Sequence, residues 1–464
     1  MSGISAGKKL HDAGYTNFQI IEANNRIGGR VESVKLQSHR VEMGGMWIYG
    51  KGTNPVYNMA MQYNLSFTEN YSDDWTVLND AGEHVTDAAD EAYDAFEQIM
   101  RDCGTLADRA RARNLDDFTT RACIRHYNWR PKTPIEDAIE AYIHDYETGV
   151  DPNAHSGKYL YLEETFADFG SKDMLIVNDQ RGLEVIIEKM AEELNDTSDR
   201  FIFNQTVKEI RYTDSGVTIT TKDDSVYNAD YVIVTVSLGV LQNRLLTFSP
   251  PLPESKLFAI DKFGIAKFSH IYMKYQTSFW DDTMYLLYTT KERGKLSIWV
   301  NMNAILPGSN ILQVSLFNEF ASWADYNTDA EVIRHITATL EIMYPNNVVP
   351  SPSDFKISRW NTDPLYMGSF SYWPPAFTER DMEILGHNVG RVYFSGDYMH
   401  PLHYGFLHAS YLTGMSAAYD VMKCVEDSTT CVKVISNDTS GGACVLTFNV
   451  VFVICLSIVL QTML

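Results

Sequence analysis

A helix followed by a buried strand that ends in an acid is the feature that most restricts the fold of this chain. Met1 to Ala13 has a helical pattern, and Phe18-Gln-Ile-Ile-Glu-Ala23 is a short apolar run typical of a parallel strand. Glu22 ends that strand, and Gly28-Gly29-Arg30 follows it. In a dinucleotide-binding fold such an acid accepts hydrogen bonds from a ribose, glycines let the backbone approach the pyrophosphate, and an arginine supplies paired donors. The order E-x5-G-G-R therefore predicts an α/β fold that binds FAD.

A second match to a cofactor-binding segment lies near the carboxyl end. Residues 390–397 read Gly-Arg-Val-Tyr-Phe-Ser-Gly-Asp, a strand that ends in Gly396-Asp397, and a helix is predicted to follow at 405–425. Asp397 is placed to bond the ribityl–phosphate region of FAD. Between the two cofactor segments, Asp214-Ser215-Gly216 separates two strand-like runs and predicts a hairpin.

The net charge narrows the range of partners. The chain has 60 acidic and 38 basic residues among 464, which gives a net charge of −22 at pH 7. An acidic chain repels a phosphate backbone, so nucleic acid is disfavoured as a partner and cationic small molecules are favoured. An acidic excess that serves solubility alone is the simpler alternative.

Cysteine spacing and glycosylation sequons bear on the compartment. The six cysteines form no CxxC pair, which excludes zinc-ribbon and thioredoxin-like sites and leaves their pairing open. Several N-x-Ser/Thr sequons, which mark surface loops where they carry glycans, favour a secretory route. They begin at Asn64, Asn70, Asn195, Asn204 and Asn437. We therefore expect a glycoprotein of the secretory pathway, extracellular or in the cell wall, or linked to the plasma membrane.

The carboxyl-terminal tail, residues 435–464, is hydrophobic. Its run from Val445 to Leu460 has no charged residue and is slightly short for a membrane-spanning helix. Small residues at 440–443 precede the run, as in a GPI-attachment signal. A tail-anchored helix and a buried core helix are the alternatives, and Asn449 counts against the buried one. We expect the tail to attach the protein to a membrane.

Further motifs extend the two cofactor segments over nearly the whole chain, from Met1 to about residue 435. On these motifs the sequence resembles the plant polyamine oxidases, within the flavin-containing amine oxidase superfamily. The matching segments are VEMGGMW (41–47), NPV (54–56), DYE (145–147), FADFG (166–170), DQRG (179–182), YNADYVIVTVSLGVLQ (227–242), GSFSYWP (368–374) and GRVYFSGD (390–397).

The resemblance implies two discontinuous domains in an α/β chain. An FAD-binding, Rossmann-like domain would comprise residues 1–75, 174–255 and 385–434. An α+β substrate domain, built on an antiparallel sheet, would comprise residues 76–173 and 256–384. We expect the protein to be a monomer.

Residue by residue, the resemblance also implies a cofactor site, a substrate site and a catalytic set. FAD would be held by Gly3, Glu22, Gly28, Gly29, Arg30, Val207, Trp360, Gly396 and Asp397, with Trp373 packed near the flavin. The substrate would be bound by Tyr49, Tyr146, Glu147 and Gly405. The catalytic set would be His270, Glu147, Phe370 and Phe406, in which the two phenylalanines close an aromatic cage around the reacting amine. Without the family pattern, core packing would be the simpler role of each aromatic side chain.

The reaction that the resemblance implies is oxidation of spermine or spermidine. A hydride leaves a carbon beside the secondary amine for flavin N5, and the imine hydrolyses to an aminoaldehyde. Dioxygen then reoxidises the flavin and hydrogen peroxide is released. The alternatives are a catalytically silent polyamine-binding homologue and an oxidase of another amine.

The sequence departs from the family pattern in three places. The first strand and most of the G-x-G-x-x-G fingerprint are missing, with Gly3 the remaining glycine, which predicts an incomplete amino terminus. His270 stands where the plant enzymes have a lysine that holds a water against flavin N5, so it either holds that water or is a structural strand residue. Tyr49 replaces a glutamate, which removes one charge from substrate recognition.

A histidine cluster at His400, His403 and His408 is spaced like a set of metal ligands. The family pattern places this cluster beside the flavin segment without a metal. We therefore expect no metal site.

Overall fold

The computed structural model describes residues 1–160, 169–171, 173–194, 197, 199–431 and 453–454. Most of the hydrophobic tail, the sequons at Asn195 and Asn437, and residues 166–168 of the FADFG motif lie outside these described residues.

The helix predicted from Met1 is confirmed as the first of the helices, and the helix predicted at 405–425 is confirmed as the last. In chain order the helices are Ser2–Asp12 (α1), Pro55–Gln62 (α2), Thr86–Ala112 (α3), Thr120–His126 (α4), Pro134–Glu140 (α5), Tyr146–Thr148 (α6), Val185–Leu194 (α7), Leu238–Gln242 (α8), Glu254–Lys262 (α9), Met302–Ile305 (α10), Asn318–Tyr326 (α11), Asp329–Met343 (α12), Glu379–Gly386 (α13) and Leu407–Glu426 (α14). A π-helical turn, Ala141–Asp145, joins α5 to α6.

The strands are mostly short. In chain order they are Ile20–Ile21 (β1), Ser33–Leu36 (β2), His39–Glu42 (β3), Trp47–Tyr49 (β4), Phe67–Glu69 (β5), Trp75–Leu78 (β6), Met174–Val177 (β7), Phe201–Ile202 (β8), Val207–Thr213 (β9), Gly216–Thr221 (β10), Val226–Ala229 (β11), Val232–Val234 (β12), Thr247–Ser249 (β13), Gly264–Ile265 (β14), Phe268–Lys274 (β15), Tyr285–Tyr288 (β16), Ile298–Asn301 (β17), Ile311–Phe317 (β18), Asp354–Ile357 (β19), Ser371–Tyr372 (β20), Val392–Phe394 (β21) and Val453–Ile454 (β22). The predicted hairpin is confirmed, because β9 and β10 pair antiparallel on either side of Asp214-Ser215.

A parallel sheet with the order β21-β12-β22-β1-β8 contains the strand predicted at Phe18–Ala23, which is β1. Ile20, Ile21 and all of β12 are buried, as expected of a parallel sheet that is covered on both faces. Helix α1 packs against α7 and α14, and the Ser5 hydroxyl donates a hydrogen bond to the Tyr411 carbonyl oxygen of α14 at 3.0 Å.

Strand β22 lies between β1 and β12 in this sheet. Val453 pairs in parallel with Ile20 on one side and with Ile233 on the other, and Ile454 pairs with Val234. The facing edges of β1 and β12 are buried, and buried backbone groups need hydrogen-bond partners. The two described residues of the hydrophobic tail therefore belong to this sheet.

A six-stranded sheet with the order β19-β15-β18-β17-β16-β6 forms the second main layer. Its neighbouring strands are antiparallel except for the parallel pair β16 and β6. Side chains of β15 alternate between the two faces. Phe268 and His270 face a cavity, whereas Ile271 and Met273 pack in the apolar cluster that includes α12. Smaller sheets have the orders β11-β10-β9-β13, β4-β7-β5, β2-β3 and β14-β20.

Two disulfide bonds cross-link the described chain. Cys103 of α3 is bonded to Cys123 of α4, and Cys424 at the end of α14 to Cys431. Within the described ranges, no helix is both long and apolar enough to cross a membrane.

Candidate active site

One large cavity lies between the parallel sheet and the six-stranded sheet. Nearly all of the residues predicted for the site line it, although they come from segments between Gly3 and Phe406. The lining residues are Gly3, Glu22, Gly28, Gly29, Arg30, Tyr49, Tyr146, Glu147, His270, Trp360, Phe370, Gly396, Asp397, Gly405 and Phe406. Two predicted residues lie elsewhere: Val207 begins β9 in the four-stranded sheet, and Trp373 stacks on Tyr159 with a ring-centroid distance of 4.0 Å.

The end of the cavity that adjoins the parallel sheet contains the acid–glycine segment. Glu22 is buried directly after β1 and accepts a hydrogen bond from the Asn24 amide at 2.8 Å. Burial raises the pKa of this carboxyl to about 8. A carboxyl group in such a buried position is suited to hydrogen bonds with the hydroxyl groups of a ligand. Gly28 has a φ of +108°, and a Cβ there would lie 2.6 Å from the Val31 carbonyl oxygen. The position therefore requires glycine.

Arg26, which sequence analysis did not single out, braces the glycine turn. Its guanidinium donates to the carbonyl oxygen of Gly29 at 2.8 Å and to that of Val31 at 3.3 Å. The same side chain pairs with the Glu32 carboxylate at 3.0 Å. In sequence this arginine is indistinguishable from a solvent-exposed one, because its partners are backbone atoms of a turn.

Arg30 and Asp397 join the two cofactor segments. The Arg30 guanidinium donates to Asp397 Oδ1 at 2.5 Å and to the Ser369 carbonyl oxygen at 2.5 Å. The other oxygen of Asp397 accepts from the amide and the hydroxyl of Ser371 at 3.0 and 3.1 Å. Sequence analysis predicted that both side chains line the site, but it did not predict that they pair.

The residues at this end suit FAD. Gly44 lets two backbone segments meet, because a Cβ there would lie 1.9 Å from the Arg30 carbonyl oxygen. The Thr235 hydroxyl, just after β12, is buried in the lining with no hydrogen-bond partner among the described residues. The first residues of α1 also line the cavity, and a helix amino terminus favours a phosphate. A buried hydroxyl without a partner and a helix amino terminus in the cavity lining both suit a dinucleotide.

The opposite end of the cavity has aromatic walls. Tyr49 and Phe406 pack edge to face at a ring-centroid distance of 4.8 Å, and Phe370 lies 5.7 Å from Phe268. Gly149, just after α6, lets Phe370 approach, because a Cβ there would lie 2.8 Å from that ring. Aromatic faces attract cations, and their apolar surface excludes water.

Tyr146 and Glu147 enter the cavity from α6, directly after the π-helical turn. A buried ionic cluster holds that turn. Arg293 donates to both oxygens of Asp145 at 2.6 and 2.8 Å and to Glu140 at 2.9 Å. Glu140 also receives two hydrogen bonds of 2.7 Å from Arg121. Sequence analysis missed this cluster, because its members are 172 positions apart and carry no recognisable motif.

His270 lies in the wall between the two ends. Its ring centroid is 5.6 Å from Trp47 and 5.1 Å from Phe268. Burial lowers the pKa of this imidazole to about 3, so the ring is neutral at physiological pH.

Of the three histidines at positions 400, 403 and 408, His408 lines the cavity, and the other two pack beside it. His403 lies 4.8 Å from His400 and 4.9 Å from His408, between ring centroids. Burial, with a smaller contribution from His403, lowers the pKa of His400 to about 4. Among the residues that the structure describes, no group of three or more His, Cys, Asp or Glu side chains has the arrangement of a metal site.

Comparison with known proteins identifies similar chains. The family model described as flavin containing amine oxidoreductase matches residues 1–422. Polyamine oxidase 1 of Zea mays is 32% identical over 452 residues, covering 92% of this chain and 89% of its own. Polyamine oxidase 6 of Oryza sativa subsp. japonica is 31% identical, covering 92% and 90%. A solved structure of wild-type putrescine oxidase bound to putrescine superposes with a TM-score of 0.73 at 19% identity, covering 91% of this chain and 97% of that one, and confirms the predicted fold class.

Proposed function

The chain belongs to the family of flavin-containing amine oxidoreductases, and from this membership we propose that it oxidises polyamines such as spermine or spermidine. The family predicted from sequence is confirmed, as are FAD as the cofactor and amine oxidation as the type of enzyme activity. The polyamine substrate is supported by the two plant polyamine oxidases that are 31–32% identical over 90% or more of this chain.

The observation that carries the proposal is that one cavity joins a dinucleotide-type end to an aromatic end with a carboxylate. Glu22, Gly28 and Arg30 line the first end, and Glu147 lines the second. A carboxylate in an apolar surrounding recognises an ammonium group. A linear polyamine can place one ammonium on Glu147 while another of its nitrogens lies among the aromatic side chains.

The roles of the chain's own residues follow from this placement. Glu147 would bind and orient the polycation, and Phe370, Phe406 and Tyr49 would hold the reacting amine and keep bulk water from it. Glu22, Arg30, Asp397 and Thr235 would hold FAD. The chemistry that FAD would supply when bound is acceptance of a hydride from the carbon beside the amine nitrogen, after which dioxygen takes up two electrons and two protons and becomes hydrogen peroxide. Water then converts the imine product into an aminoaldehyde and an amine.

The test is the visible absorption spectrum of the purified protein under anaerobic addition of spermine. We expect flavin bands that bleach with spermine and return on admission of oxygen, with hydrogen peroxide formed in equal amount to the amine consumed. Benzylamine is the control for an oxidase of monoamines. Bleaching by benzylamine but not by spermine would show that the substrate is a monoamine and not a polyamine.

A catalytically silent polyamine-binding protein is the second candidate. It is favoured by Tyr49, a neutral side chain where the family resemblance places a glutamate. In that case calorimetry would detect spermine binding to the yellow protein, and the flavin bands would persist without oxygen.

We also propose that the protein passes through the secretory pathway. Two disulfide bonds support an oxidising compartment, and Asn64 and Asn204 are exposed. Asn70 differs, because its side-chain oxygen accepts a hydrogen bond from the Tyr285 hydroxyl at 2.6 Å. We expect enzymatic deglycosylation to reduce the mass of the native protein, and Asn64→Gln, but not Asn70→Gln, to remove part of that change. An unchanged mass would contradict glycosylation.

A further inference from the structure

Within the described part of the chain, hydrogen bonds reach the imidazole of His270 on one side only. Its Nδ1 lies 2.6 Å from Gln313 Nε2 and 3.4 Å from Ser315 Oγ, both on the neighbouring strand β18. Ser315 is directly opposite His270 in the antiparallel register, and Gln313 is opposite Tyr272. No hydrogen bond from the described part of the chain reaches Nε2. Because His270 lines the cavity and Gln313 and Ser315 do not, the ring edge with Nε2 is the one left for the cavity.

The groups around His270 leave its ring uncharged. Burial is the cause of its lowered pKa, and no charged side chain counteracts it. Gln313, Ser315 and Ser358 are neutral, and Ser358 accepts the His270 backbone N–H at 2.8 Å. Tyr146 and Tyr272 also face the ring region, and burial raises the pKa of both well above the ordinary value. A neutral imidazole carries one N–H and one acceptor nitrogen. Which nitrogen has the proton therefore depends on the hydrogen bonds that neighbouring residues make to the ring.

The side-chain amide of Gln313 determines which ring nitrogen of His270 carries the proton. In the orientation that its amide adopts, Nε2 lies 2.6 Å from Nδ1 of His270 and 3.1 Å from Oγ of Ser315, and Oε1 has no hydrogen-bond partner among the described residues. Both contacts are accounted for when the two amide hydrogens point at them, one each. A donor at 2.6 Å makes Nδ1 an acceptor, and the ring proton must then be on Nε2.

We propose that Gln313 is a positioning residue, which holds His270 as the tautomer with its proton on Nε2 and so directs an uncharged N–H donor into the cavity. Such a donor binds a lone pair, either of a water molecule or of an uncharged amine nitrogen. It offers nothing to an ammonium group, which has no lone pair. This wall therefore favours the neutral form of an amine, the form from which a hydride can leave, whereas Glu147 favours the charged form.

The inference concerns the protonation of one ring, and its consequence for turnover rests on the proposed function. The primary test does not depend on turnover. Nitrogen NMR of the holoprotein labelled at histidine distinguishes a protonated from an unprotonated ring nitrogen, and the signals of His270 are those lost in His270→Asn. We expect a protonated Nε2 and an unprotonated Nδ1, unchanged between pH 5 and pH 9. A protonated Nδ1, or an imidazolium in this range, would overturn the proposal.

The isosteric variant Gln313→Glu reverses the hydrogen bond. Its carboxylate can only accept a hydrogen bond, so we expect the ring proton to move to Nδ1, where it is donated to the carboxylate, and the His270 pKa to rise by about 1–3 pH units. Ser315→Ala is the matched control, because it removes the longer contact to Nδ1 and should leave the proton on Nε2. If the protein also oxidises spermine, the rate of anaerobic flavin bleaching in Gln313→Glu should gain an ionisation that wild type and Ser315→Ala lack.

The two sets of results separate the two hypotheses. The expected NMR signals in a protein that spermine does not bleach would overturn the proposed function and leave the role of Gln313 intact. Bleaching by spermine with His270 protonated on Nδ1 would do the opposite. If Gln313→Glu does not fold, the wild-type spectrum alone decides the tautomer.

Discussion

Glu147 is the carboxylate at the aromatic end of the cavity, whereas Glu22 and Asp397, the other carboxylates among the described lining residues, are at the cofactor end. If Glu147 binds an ammonium group, Glu147→Gln removes a charge-assisted hydrogen bond worth about 1.5–3 kcal/mol. We expect spermine affinity to fall by roughly tenfold to a hundredfold, with flavin content unchanged. Glu319→Gln, an exposed carboxylate on α11, is the control. Equal affinities of the two variants would remove Glu147 from substrate binding.

Arg30 offers a second residue-scale prediction, on cofactor retention. Arg30→Ala deprives the buried Asp397 of its positive partner. Loss of one member of a buried pair costs about 3–5 kcal/mol, and we expect a loss nearer the lower limit because Arg30 is partly exposed. The ratio of flavin to protein after gel filtration should therefore fall well below that of Arg211→Ala, which removes an exposed arginine paired with Glu209. Full flavin content in Arg30→Ala would contradict the assignment.

The residues of the site could be predicted from the sequence, but their hydrogen-bond and ion-pair partners could not. Glu22, Gly28 and Arg30 were recognisable because strand, turn and acid are contiguous in sequence. The pairing of Arg30 with Asp397 spans 367 positions, and Gln313 is an ordinary strand residue until its register beside His270 is known. Short motifs specify chemistry, but hydrogen-bond partners across strands depend on register.

The π-helical turn Ala141–Asp145 leads directly into Tyr146 and Glu147 of the cavity lining. Helices α3, α4 and α5 precede this turn in the chain. The turn is wider than an α-helical turn by one residue and carries no sequence motif that predicts it, because the ionic contacts of Asp145 and Glu140 stabilise it from outside the helix. π-helical turns are frequent at functional sites. Here the turn precedes Tyr146 and Glu147.

Removal of Arg293 tests this element. Arg293→Gln leaves the buried carboxylates of Asp145 and Glu140 short of a cation, so we expect a loss of about 3–5 kcal/mol in the free energy of unfolding. The spermine KM should rise as Glu147 loses its fixed position, with a smaller effect on kcat. Lys295, two residues after Arg293, forms an exposed pair with Glu292. We expect Lys295→Gln, which breaks that pair, to cost about 0–1 kcal/mol of unfolding free energy. Urea unfolding and steady-state kinetics give both values, and equal losses in the two variants would contradict the role of the cluster.

The same cluster predicts a response to acid. Burial alone would raise the pKa of Asp145, but the charge and hydrogen bonds of Arg293 together with those of the neighbouring His144 outweigh burial and hold that pKa below the ordinary value. A depressed carboxyl pKa contributes stability that is present above pH of about 4 and is lost as pH falls through the folded-state value. We expect thermal unfolding of wild type to shift to lower temperature below pH 4 more steeply than that of Asp145→Asn. Parallel curves for the two proteins would show that Asp145 is not the titrating group.

The parallel sheet and the antiparallel sheet were both predicted from the sequence, but the order of their strands was not. The helix and strand that precede the acid–glycine segment predicted an α/β fold, and the family resemblance implied a second domain built on an antiparallel sheet. The order β19-β15-β18-β17-β16-β6 brings together strands from positions 75 to 357, which local pattern cannot specify. The domain boundaries and the monomeric state stay predictions.

Two hypotheses concern the role of the hydrophobic tail. Composition predicted attachment to a membrane, whereas the described pair Val453–Ile454 lies in the parallel sheet between β1 and β12. Unpaired buried backbone groups cost about 1–3 kcal/mol each. If the pairing holds, deletion of residues 432–464 uncovers the edges of two buried strands that lead directly to Glu22 and Thr235.

We therefore expect deletion of residues 432–464 to lower both the midpoint of thermal unfolding and the flavin content. The shorter deletion of residues 456–464 keeps the pair and is the matched control, in which both quantities should stay near wild type. Membrane attachment makes a different prediction, since the longer deletion would then move the protein from the pellet to the supernatant of a lysate without loss of flavin. Equal stability and flavin content in both deletion variants would exclude the strand role, because the bonds of Val453 to Ile20 and Ile233 are present in only one of them. Loss of flavin confined to the longer deletion would show that the tail completes the cofactor sheet.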